Sequence, residues 1–162
     1  MLDYEVDYFE SSVIPIGAER PKRVLILGSS GQVGAYLTEY LRKEGYEVFE
    51  FDVVNGPNQD LTVIPNGQLE AMIHLADFVY FLAFDVGGSH YLKKYQHTFK
   101  FIDNNTRLMA NAFGLIEKYK KPFVFASSQM SNMSYSPYGV LKRVGELYTC
   151  LLYTSPSPRD RG

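Results

Sequence analysis

The residues with the clearest chemical potential are a tyrosine and a lysine four apart, Tyr138 and Lys142, in the segment Tyr-Gly-Val-Leu-Lys. On a helix, residues at that spacing share one face, so the ammonium lies near the phenol. A tyrosine ordinarily ionises near pH 10, and a fixed neighbouring cation favours the phenolate, which makes the side chain usable as a base. Upstream, the predicted strand Phe125-Ala126 ends in Ser127-Ser128. Taken alone, the Tyr/Lys spacing is common and usually marks an exposed helical face. Its weight comes from what precedes it.

Gly28-Ser29-Ser30-Gly31-Gln32-Val33-Gly34 follows an apolar run and precedes a stretch with helical spacing. Glycines there permit a tight turn and let the backbone approach a pyrophosphate. The helix N-terminus behind them offers N–H groups and positive dipole to the anion. Gly28, Ser30, Gly31, Gln32, Val33 and Gly34 are therefore candidate cofactor-binding residues. Turns also collect glycine for steric reasons alone; the position directly after a buried strand is what adds meaning. Asp52 closes the next predicted strand, where a carboxylate can accept both ribose hydroxyls of an adenosine and repels the extra phosphate of NADP. No arginine follows Asp52 closely, so NAD is the expected cofactor.

These residues need strands to bring them to one end of a sheet. Residues 24–27 form a continuous apolar run, as in a strand buried on both faces. A helix is predicted over 33–44, stopped by Gly45. Residues 46–52 alternate and read as the second strand. The third strand is expected at 61–64, the fourth at 78–83, and the fifth at 123–126 after Pro122. Helices are expected through Leu69, Met72, Ile73 and Leu75, over 101–119, and from Tyr138 onward, with Tyr91 and Tyr95 on a helix face. Strands alternating with helices give an α/β fold, a doubly wound parallel sheet of the Rossmann type, in the order 3-2-1-4-5.

With the glycine turn, the acid, the serines and the Tyr/Lys pair in this order, the sequence resembles an extended short-chain dehydrogenase/reductase of the NAD-dependent sugar-nucleotide epimerase/dehydratase family. The resemblance covers residues 23–149. It implies that Asp60 and Leu61 contact the adenine edge, and that Phe81-Leu82-Ala83 stands for the family's His-Leu-Ala beneath the cofactor, with Phe81 in place of the histidine. It implies Ser128, Tyr138 and Lys142 as the catalytic set. Tyr138 would take a proton from a sugar hydroxyl, commonly at C4, while hydride passes to NAD. Ser128 would steady the oxygen, and Lys142 would assist the phenol and hold the nicotinamide ribose. A nucleotide-sugar substrate and a homodimer are implied with it. The dehydratases of the family carry acids just after the catalytic Ser/Thr; here Gln129 and Met130 stand there, which favours epimerase or reductase chemistry. Ser131-Asn132-Met133 replaces the family's Val-Tyr-Gly, and Asp85-Val86-Gly87-Gly88 is a variant loop near the nicotinamide and sugar. Asn105-Thr106 resembles the Asn-Thr start of the family's long helix, with bracing, capping and packing roles all open. The rival reading is a non-catalytic NAD-binding sensor or scaffold, or an inactive gene fragment.

Composition sets outer limits. The chain has 162 residues, 46% hydrophobic and 21% charged, with a formal net charge of −2. That balance carries no nucleic-acid or membrane-surface footprint, and no apolar run reaches the roughly 20 residues of a membrane span. The acidic N-terminus lacks the basic and apolar regions of a secretory signal, so a cytoplasmic location is the default. His74, His90 and His97 show no metal-ligand spacing. Residues 1–21 read as a polar extension and 22–149 as an incomplete NAD-binding domain. The end of the chain, Cys-Leu-Leu-Tyr-Thr-Ser-Pro-Ser-Pro-Arg-Asp, matches the translation of a transposase sequencing adapter. Residues 150–162 are therefore expected to be non-native, and the frame to be truncated after the Tyr/Lys helix.

Overall fold

The computed structural model describes residues 22–154; the N-terminal extension and residues 155–162 lie outside the described residues. Strand β1, Arg23–Leu27, has four fully buried positions because it lies in the middle of the sheet with helices on both faces. Helix α1, Gln32–Lys43, follows the glycine turn and ends at Gly45, whose φ of +87° suits a residue without a side chain. The chain then forms β2 (Glu47–Phe51), α2 (Gly67–Leu75), β3 (Phe78–Phe81), α3 (Gly88–Tyr95), α4 (Phe99–Lys118), β4 (Phe123–Phe125) and α5 (Pro137–Thr154). All strand pairs are parallel, in the order β2-β1-β3-β4. This is the expected doubly wound α/β sheet.

The expected strand at 61–64 does not form. Asp60 turns the chain instead: its carboxylate accepts from both the N–H and the hydroxyl of Thr62, at 2.8 and 2.7 Å. Leu61 drops into the core at 7% exposure while Val63 and Ile64 face outward at 51% and 64%. One inward residue followed by two outward ones is a turn pattern, not strand alternation. The order is therefore 2-1-3-4 in observed numbering, and β2 and β4 are the edge strands among the described residues.

The sheet separates two apolar clusters. Leu25, Leu27, Phe51, Val79 and Phe81 point to the side covered by α2, α4 and α5. Val24, Ile26 and Phe78 point to α1, which supplies Leu37 and Leu41. Helix α5 starts where Ser136, 2% exposed, accepts from the N–H of Gly139 and Pro137 occupies the first turn. It continues without a break through Cys150 to Thr154, and Leu152 packs against the larger cluster.

Candidate active site

The C-terminal ends of β1, β2, β3 and β4 lead into the glycine turn, Asp52, Leu82-Ala83 and Ser127-Ser128, while Tyr138 and Lys142 come from α5. After β1, Gly28 has φ +89°, and a β-carbon on it would stand 2.7 Å from the Ala83 nitrogen and 2.8 Å from the Ala83 α-carbon. A β-carbon on Gly34 would stand 2.1 Å from the Gly28 carbonyl oxygen. These two glycines are required by the turn's own packing. Gly31 differs: its β-carbon would meet only the Gly28 oxygen, at 3.5 Å. Gly31 is the N-cap of α1 and contributes no side-chain cap, so the first N–H groups of α1 are left without one. Gln32 and Val33 are exposed beside them.

Asp52 reaches this turn from β2. One carboxylate oxygen accepts from the N–H of Ser30 at 2.9 Å and the other from the N–H of Val54 at 3.1 Å. The Ser30 hydroxyl donates to Asn55 Oδ1 at 3.0 Å, and the Asp52 N–H donates to Gln59 Oε1 at 2.9 Å. Neither Asn55 nor Gln59 stands out from spacing or residue type alone. Asp52 stays half-buried, with lone pairs beyond those two bonds. The glycine cradle, the uncapped helix start and this carboxylate fit a dinucleotide. Asp60 is held in its own turn, and the Leu61 side chain belongs to the core. Leu82 packs in the α1-side cluster and Ala83 on the opposite side. Phe81 is fully buried among Phe113 and Phe125, with centroids 5.0 and 5.3 Å away.

At the ends of β3 and β4 the reactive groups gather. Lys142 is 3% exposed, and its ammonium donates to the Ala126 carbonyl at 2.7 Å. Burial lowers its pKa to about 8. Tyr138, one turn earlier on α5, packs perpendicular to Phe84 with ring centroids 5.5 Å apart. The Lys142 Nζ is 5.8 Å from the centroid of the Tyr138 ring. Ser128 starts a short 3-10 turn, Gln129–Asn132, and its hydroxyl accepts from the N–H of Met130 at 3.2 Å. Gly139 lets α5 approach that turn: a β-carbon there would stand 2.0 Å from the Met130 carbonyl oxygen. Ser127 is engaged elsewhere, donating to Glu146, which also accepts from Arg143 at 2.8 Å. Sequence reasoning missed Glu146, although it stands one helical turn beyond Lys142.

Asn105 is not at the start of its helix. Helix α4 begins at Phe99 behind the cap Thr98, and Asn105 lies inside it, fully buried. It accepts from the Asp85 N–H at 2.7 Å and donates to the Asp85 carbonyl at 3.3 Å, so bracing is the role observed. Tyr91 and Asn104 donate to the Asp85 carboxylate at 2.8 and 3.0 Å. Burial first, and then the hydrogen-bonded Asp85 carboxylate, push the Tyr91 phenol up to about 12. A hollow between α1 and β2 adjoins the glycine turn through Ser29 and Ser30. Its charges are paired as Arg42–Glu50 and Lys43–Glu39, and none of Ser128, Tyr138 and Lys142 lines it.

A parallel sheet covered on both faces, a glycine turn at an uncapped helix start and an acid closing the second strand define a dinucleotide-binding domain. The profile of the NAD dependent epimerase/dehydratase family matches residues 24–150. The chain belongs to that family, and NAD is its cofactor. Three solved structures show the same fold. An L-threonine dehydrogenase from Clostridium difficile is 20% identical, with a TM-score of 0.68 over 85% of this chain and 50% of that one. A UDP-glucose 4-epimerase from Thermotoga maritima is 18% identical, with a TM-score of 0.64 over 82% and 52%. A dTDP-4-dehydrorhamnose reductase from Bacillus anthracis, in complex with NADP, is 20% identical, with a TM-score of 0.63 over 83% and 51%. At these identities the likeness speaks for the fold alone, and the chain spans about half the length of each. No curated protein matches the sequence.

Proposed function

We propose that this chain carries the cofactor half of an NAD-dependent sugar-nucleotide epimerase or a close reductase relative. The observation that carries the reading is the gathering of Tyr138 and Lys142 on one face of α5 beside the strand end that bears Ser128. Tyr138 acts as the base that takes a proton from a sugar hydroxyl. Ser128 donates a hydrogen bond to the same oxygen and steadies its negative charge. Lys142 supports the phenol and the nicotinamide ribose. Bound NAD supplies the hydride acceptor. Gly28, Ser30, Gly31, Gln32, Val33 and Gly34 hold the pyrophosphate, Asp52 the adenosine ribose, and Asp60 with Leu61 the adenine edge. Leu82 and Ala83 floor the site.

The nucleotide-sugar substrate rests on the family and on the epimerase and reductase that share the fold. Gln129 and Met130 offer no general acid beside Ser128, which weighs against elimination. A cytoplasmic homodimer is the proposed setting; among the described residues no helix is long and apolar enough to cross a membrane. The adapter origin of residues 150–162 is likewise proposed, and a long read of the source DNA across the Thr149 codon tests it. A frame that continues into other residues supports it, and the same tail read from genomic DNA contradicts it. For the mechanism, Tyr138→Phe in the whole protein is expected to lower turnover of UDP- or dTDP-sugars by about a hundredfold or more. Unchanged turnover would contradict Tyr138 as the base.

A further inference from the structure

Phe84, in the loop after β3, touches both members of the Tyr/Lys pair. Its ring centroid is 4.0 Å from the Lys142 Nζ, closer than Phe125 at 5.0 Å. Its plane stands at 85° to the Tyr138 ring, an edge-to-face contact. An ammonium over a ring face is attracted by the ring's negative quadrupole, and a ring excludes the water that would otherwise compete for it. The loop is pinned from behind. Asn105 exchanges hydrogen bonds with the Asp85 backbone, and its amide is tied in turn to the Phe101 carbonyl at 2.9 Å. Tyr91 and Asn104 hold the Asp85 carboxylate. The backbone next to Phe84 is therefore held from α3 and α4, elements that do not carry Tyr138 or Lys142.

We propose that Phe84 is a positioning residue for the Tyr138–Lys142 pair, its face holding the ammonium and its edge-to-face contact holding the phenol ring in one relative geometry. The inference rests on the reading of Tyr138 and Lys142 as the reacting pair. Around Lys142 the carboxylates of neighbouring elements are committed elsewhere: Asp85 to Tyr91 and Asn104, Glu146 to Ser127 and Arg143. What faces the ammonium is the Phe84 and Phe125 rings, the Tyr138 ring and the Ala126 carbonyl. The charge on Lys142 thus depends on two opposed effects of Phe84. Its apolar bulk keeps water out and disfavours the charge; its π face favours it.

Those effects separate by substitution, with the Lys142 amine followed by NMR in the full 162-residue chain carrying 13C-labelled lysine. Phe84→Leu keeps the cover and removes the π face, so the Lys142 midpoint should fall by about half a pH unit. Phe84→Ala admits water, so the midpoint should rise toward that of free lysine. Phe84→Tyr retains the ring and should retain the wild-type midpoint, which keeps the comparison open if the alanine variant does not fold. Midpoints that stay at the wild-type value in folded Phe84→Leu, or that move together in the leucine and alanine variants, would overturn the proposal. NADH added to the wild-type chain separates this from the functional reading. If NADH leaves the Tyr138 and Lys142 signals unmoved, the reading of the pair fails, while the effect of Phe84 on Lys142 is judged by the midpoints alone.

Discussion

Lys142 is a charged group almost without solvent, and folding therefore depends on pH through it. Its pKa is about 8 in the folded chain against 10.5 for an ordinary lysine. Between those values the unfolded chain holds a proton that the folded chain has released. Stability must therefore rise with pH through that window and be flat with respect to this group below it. The rise is at most about 3 kcal/mol. Lys142→Met should abolish it, as read from urea unfolding on either side of the window; an unchanged rise would assign it to another group. Asp52 is the second residue whose chemistry can be isolated. Asp52→Ala removes charge-assisted hydrogen bonds, so calorimetry should show NAD affinity reduced by about tenfold or more, with NADP affected less.

The two kinds of glycine in the turn before α1 separate fold from function. Gly34→Ala sets a β-carbon against the Gly28 carbonyl oxygen, so the turn must open and thermal stability should fall. Gly31→Ala meets an ordinary contact at a φ of −70°. It should leave the melting temperature nearly unchanged while weakening NADH binding, because its β-carbon would stand where the pyrophosphate approaches. Equal losses of stability in both variants would contradict that division. At this scale the sequence was most informative where local chemistry decides. The apolar run of β1, the glycine spacing and the Tyr/Lys interval take their meaning from following one another in this order along the chain. The segment 61–64 resembles a strand because three of its four residues are apolar, whereas Asp60 commits the chain to a turn that only its bonds to Thr62 reveal. Phe84, Asn55 and the Asn105–Asp85 brace were illegible for a different reason. Each acts on residues about 20 or more positions away, through packing that spacing does not encode.

For the whole molecule, the described helices leave apolar surface uncovered. Val140 and Leu147, two turns apart on α5, are 44% and 53% exposed, and Phe99 at the start of α4 is 82% exposed. Surfaces of this kind seek partners. The proposed homodimer through these helices predicts concentration-dependent association in sedimentation, reduced by Leu147→Lys; a strictly monomeric wild-type chain would contradict it. On the proposed reading, the glycine turn before α1 and the Tyr/Lys pair on α5 form one site, spanned by one dinucleotide. An NMR titration of the chain with NAD tests this. Signals of Gly31 and Asp52 and those of Tyr138 and Lys142 should shift together, with a single dissociation constant. Shifts confined to the glycine turn, with α5 unmoved at saturation, would contradict it.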